Sequence, residues 1–82
     1  MYYYLVKFID NKGMRKQFLA KNFKGILHLC YIHQKAGTMN LVIPPLVYCK
    51  NKQGLLTEKF GIVKYDAENK KFMVIRKEDL NK

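Results

Sequence analysis

Eighty-two residues, 49% of them hydrophobic and eleven aromatic, suffice for one compact domain and exclude a disordered chain. Sixteen basic residues against six acidic give a formal charge of +10, a positive field that attracts polyanions. Two cysteines are too few for a disulfide scaffold, and no apolar run approaches the roughly 20 residues that span a bilayer.

Tyr2 to Ile9 is rich in aromatic and β-branched residues and reads as a strand. Tyr2, Tyr4, Val6 and Phe8 alternate with Tyr3, Leu5 and Ile9, so both faces are apolar, which suits a central strand covered on both sides. The start of the chain lacks the basic residues and long apolar run of a secretory signal, so the expectation is a reduced, cytoplasmic protein. Asp10-Asn11-Lys12-Gly13 supplies turn chemistry, and Met14 to Ala20 returns as a second, more polar strand nearer an edge.

Asn22 to Gly37 is the one stretch that reads as a helix. At 100° per residue, Phe23, Ile26, Leu27 and Cys30 share a face, while Lys24, His28 and Lys35 lie on the opposite flank. Asn22 is placed to cap the first turn, and Gly37 to end the helix in the left-handed conformation. Ile26, Leu27 and Cys30 are expected to pack on the N-terminal hairpin.

Beyond the helix, Leu41-Val42-Ile43 and Leu46-Val47-Tyr48 are split by Pro44-Pro45, which marks a bulge, bend or edge within Thr38 to Lys50. A loop, Lys50 to Gly54, leads to a second hairpin, Leu55 to Tyr65 and Lys71 to Lys77, and the last five residues form a tail. The order ββαβββ describes a single α+β domain over residues 1–82, with an antiparallel sheet on one central helix. Five strands span about 20 Å and one helix about 10 Å. Either the sheet curls into a half-barrel, or its bare area meets a partner, a second copy of the chain included; that open face is expected to carry tyrosines or Phe60 beside lysines, as a nucleic-acid platform does.

Residues 1–57 carry nine basic residues and one acid, and residues 58–82 carry seven and five. The basic excess points to phosphate contacts through Lys12, Arg15, Lys16, Lys21, Lys24 and Lys35, with Lys50 and Lys52 as an outlying pair. Lysine outnumbers arginine fourteen to two, which favours point-charge contact over base-specific forks.

Phe60-Gly61-Ile62-Val63-Lys64-Tyr65 resembles the second half of the RNP1 motif of RNA-recognition and cold-shock domains, which implies Phe60 and Tyr65 as base-stacking candidates. Lys59 stands where that motif has glycine, and Ile62 where it has its central aromatic. An ordinary half-buried strand is the plainer reading. His28, Cys30, His33 and Cys49 are metal-ligand types, but His28 lies about 160° from Cys30 on the helix, so they make no four-ligand site. Cofactors are not expected.

Three functions remain open. The first is a small non-enzymatic nucleic-acid-binding protein, of DNA or RNA, with a size and lysine bias that suit a phage or other mobile element. The second is an inhibitor or binding module that docks on an acidic host protein. The third is a toxin-like, metal-independent ribonuclease using His28 with Lys24 and Tyr31.

Overall fold

The computed structural model describes residues 2–80. Six elements follow in the expected order: β1 (Tyr4–Ile9), β2 (Arg15–Ala20), α1 (Phe23–Lys35), β3 (Leu46–Cys49), β4 (Glu58–Asp66) and β5 (Lys71–Arg76). A 3-10 turn, Lys77–Asp79, follows β5. The strands form one antiparallel sheet in the order β2-β1-β3-β4-β5, so β1 is internal and β2 is an edge. No helix among the described residues is long and apolar enough to cross a membrane.

Among the described residues, three turns share one device, a short side-chain oxygen that accepts from two backbone N–H groups two to four residues on. The buried Asp10 carboxylate accepts from Lys12 and Met14 at 2.9 and 2.8 Å. Asn51 accepts from Gln53 and Leu55, and Asp66 from Glu68 and Asn69. The Asn69 side chain also donates to Asp66 at 2.7 Å and, as the largest influence, holds its carboxyl below the usual carboxylate range. A depressed folded value means that this contribution to stability is present at neutral pH and is lost as pH falls through it. The Tm advantage of the wild type over Asp66→Ala is therefore expected at pH 7 and should shrink as pH falls below the ordinary carboxylate range. Thermal melts of both proteins from neutral to acid pH measure it.

The helix begins where the Asn22 side chain accepts from the Gly25 N–H at 2.8 Å, and Gly37, at φ 71°, follows its last turn. Ile26 and Cys30 are fully buried, but Leu27 is half-buried on the margin of the face rather than in the core. Burial instead continues along Ile26, Cys30 and the half-buried His33, the i, i+4, i+7 line. Asn11 on the first turn donates to the Gly37 carbonyl and ties the hairpin to the helix end.

The helix runs along β1: Phe23 packs on Tyr4, with ring centroids 5.4 Å apart, and His33 packs on Phe8 at 4.9 Å. Yet the same helix touches both edges of the sheet, through Tyr31 on Phe72 of β5 and His33 on Phe18 of β2. A cylinder about 10 Å across reaches both edges of a nominally 20 Å sheet if the sheet curls around it. Val6, Phe8, Ala20, Ile26, Cys30, Met39, Val47, Val63 and Phe72 fill the space between.

Three segments differ from the sequence reading. Leu41-Val42-Ile43 is an exposed turn, not a strand: Asn40 Oδ1 accepts from the Val42 N–H, and two prolines without donors keep the ladder from starting before Leu46. Leu55 to Thr57 belongs to the loop before β4. The outer face of β1 is not covered, because one helix shields one side of a sheet; Leu5 and Ile9 are half-buried there and Lys7 is exposed. Of the expected tail, Asn81 and Lys82 lie outside the described residues.

Candidate nucleic-acid interface

The face turned away from the helix is fixed by strand register, since residues opposite each other in antiparallel strands share a face. Lys7 pairs with Gln17 and Leu46, and Leu5 with Leu19 and Tyr48. Ile9 pairs with Arg15, and Tyr48 with Lys59. On β4 and β5, Ile62 pairs with Ile75 and Lys64 with Met73. Ile43 and Pro44 frame this open face at one end, and Leu80 at the other.

The two halves of the face differ in chemistry. The β4–β5 half is aliphatic, with Ile62, Met73 and Ile75 beside Lys59 and Lys64. The β2–β1–β3 half is basic and aromatic. There the Lys7 ammonium lies 5.1 Å from the centroid of the Tyr48 ring, and the Lys50 ammonium lies 5.1 Å from that of Tyr3. Each ring is an exposed or half-buried platform with a cation above it, worth about 0.5–1 kcal/mol at exposed sites. Among the described residues Asp66 is the one carboxylate at an open-face strand position, and it is held in its turn at the far end.

The basic residues singled out from sequence do not form one patch. Arg15 is on the open face, and Lys50 joins it through Tyr3 rather than lying apart. Lys16, paired with Phe8, has the opposite parity but is exposed along the β2 edge. Lys12 and Lys35 sit at the end of the domain where the first turn meets the helix C-terminus. Lys21 and Lys24 sit at the other end, around the helix N-terminus, and Lys52 is in the Asn51 turn.

Phe60 and Tyr65 face the helix. Phe60 packs edge-on against Tyr4 and Phe23 at 5.5 and 5.4 Å, with the Arg76 guanidinium 5.8 Å from its ring centroid. Tyr65 lies 4.9 Å from Phe72. Stacking on bases would require both half-buried rings to leave the places they occupy against the core. Tyrosines beside lysines on an open face were expected as a class, but Lys7, Tyr48, Tyr3, Lys59 and Gln17 were not singled out individually. One signal was present: Lys7 interrupts an otherwise apolar strand, which a strand buried on both sides would not tolerate.

The remaining chemical candidates are engaged in structure or stand apart. Tyr31 donates its hydroxyl to the Lys70 carbonyl at 3.0 Å, while His28 is exposed on the helix. The His33 ring stacks on Phe18 at 15°, with Nδ1 3.2 Å from Thr38 Oγ1. Burial pushes the Cys30 thiol up to about 12, and Cys49 is raised by burial and by Glu58, so neither is poised as a thiolate. No three His, Cys, Asp or Glu side chains converge among the described residues in a way that could hold a metal ion.

No protein-family model, curated protein or solved structure matches the chain.

Proposed function

We propose that the chain binds single-stranded nucleic acid, DNA or RNA, across the β2–β1–β3 half of its open face. The observation that carries this reading is the pair of lysine-capped tyrosines, Tyr48 under Lys7 and Tyr3 under Lys50. Tyr48 opposes Leu5, so Tyr3 is its diagonal neighbour, about 7–8 Å away along the sheet, a spacing that consecutive unstacked bases can match. On binding, each flexible lysine leaves its ring for a phosphate and a base takes its place. The exchange is favourable, because stacking a base on an aromatic ring contributes about 1–3 kcal/mol against the smaller cation–π contact. A sheet presents ring faces to unpaired bases, whereas a duplex hides them.

Fluorescence anisotropy with labelled single strands tests the reading. Tyr48→Ala is expected to weaken binding by about 1–3 kcal/mol, whatever the sequence. Affinity unchanged by that substitution would remove Tyr48 from the interface.

A second reading is favoured by the aliphatic half around Ile62 and Ile75: docking on a protein whose apolar surface has an acidic rim. Lys59 and Lys64 border that half, so they oppose a second copy of the chain and favour an acidic partner. Absence of binding to any nucleic acid at low salt would move this reading to first place.

A further inference from the structure

A cleft of about 510 Å³ opens on the basic half of the face, lined among others by Lys7, Arg15, Gln17, Ile43, Pro44 and Tyr48. Its size is that of a small-molecule site. Its walls combine an aromatic ring, an apolar loop and cations, with the amide of Gln17 between them. The Gln17 side chain is exposed and makes no hydrogen bond among the described residues, so its amide donors and acceptor are open to a ligand. It opposes Lys7 across β1–β2, and Ile9–Arg15 is the next pair on the same face, so two cations flank the amide.

We infer that this cleft is a base-reading subsite of the proposed single-strand interface, selective for adenine. This deepens the proposed function and rests on it. Tyr48 supplies the stacking surface, and Ile43 with Pro44 the apolar wall at the loop end. Lys7 and Arg15 hold the flanking phosphates. The Gln17 amide offers one donor and one acceptor side by side, the complement of adenine N7 and N6. Guanine presents two acceptors at the same edge and leaves the amide oxygen facing another acceptor. The lysine-rich remainder of the face contacts phosphates without reading sequence.

The test is anisotropy titration of labelled single strands of about ten nucleotides: all-thymine or all-uracil, and the same strands with one central adenine or one central guanine. DNA and RNA series are run side by side. The adenine strand is expected to bind about tenfold more tightly than the other two, in whichever sugar series binds. Gln17→Ala should abolish that preference, so that the adenine, guanine and plain strands bind the variant alike. Equal wild-type affinities for all strands overturn the subsite and leave the proposed function standing. An adenine preference that survives Gln17→Ala overturns the role of this cleft. Failure to bind any strand overturns both.

Discussion

Gly61→Ala is expected to leave the chain unfolded. A Cβ at position 61 would lie 1.9 Å from the carbonyl oxygen of Ile75, 2.8 Å from its carbonyl carbon and 2.9 Å from the Cα of Arg76. All three atoms are backbone of β5, so no rotamer change relieves the clash; the two strands must separate. On its other side Gly61 pairs with Val47 beside the bulge, so β4 cannot slide away from β5 without breaking its contact with β3. A domain of this size has roughly 4–12 kcal/mol of total stability. A backbone clash of this kind belongs with the exceptional substitutions that cost more than about 4. Circular dichroism and a urea titration of the purified variant measure it. A cooperative urea transition with a midpoint close to that of the wild type would show that β4 and β5 are farther apart than described.

Ile26→Ala is expected to cost about 2–5 kcal/mol. Ile26 is wholly inaccessible to solvent and shares the core with Val6, Val47 and Val63, so the lost side chain leaves a cavity between the helix and three strands. Leu27→Ala, one residue on, removes a half-buried side chain and should cost less than half as much. The comparison isolates which face of the helix is buried, because either substitution changes helix propensity by at most about 0.7 kcal/mol. Urea midpoints of the two variants, at unchanged m-value, give the ratio. Equal costs would mean that the helix is rotated toward Leu27.

The helix and its cap were legible because they depend on local spacing: Asn22, Gly37 and the i, i+4 apolar residues are all within one segment. The first hairpin and the position of β2 at an edge were legible for the same reason, from Asp10 to Gly13 and from the polarity of Arg15-Lys16-Gln17. The bare area of the sheet was legible in outline, but the particular pairs on the open face were not. Lys7 meets Tyr48, and Tyr3 meets Lys50, because β1 lies beside β3, a pairing between strands separated by the whole helix. The placement of Phe60 was misread for a definite physical reason. In a regular strand Phe60 would share a face with Ile62 and Lys64, on the open side. The register shifts at this point, with Val47 opposite Gly61 and Tyr48 opposite Lys59, so Phe60 is the extra residue of a bulge. That residue turns its ring to Tyr4 and Phe23 and resets the alternation for the rest of β4. Tyr65, four residues beyond Gly61, keeps the inward parity that results.

The lysines divide accordingly into those that share a face with the two tyrosines and those at the ends of the domain. Lys7, Lys50 and Lys59 surround Tyr48 and Tyr3, whereas Lys24 and Lys35 are exposed on the helix. All five lie outside the core, so charge reversal should leave the fold intact. The measurement that separates them is a titration of labelled single strands at two salt concentrations, with wild type, Lys7→Glu/Lys50→Glu/Lys59→Glu and Lys24→Glu/Lys35→Glu side by side. Wild-type affinity should fall steeply with salt, at about 0.7 in the log–log slope for each phosphate neutralised. The open-face triple variant should lose measurable binding, and the helix variant should retain most of the wild-type affinity. Loss of binding in the helix variant with retention in the open-face variant would contradict the account.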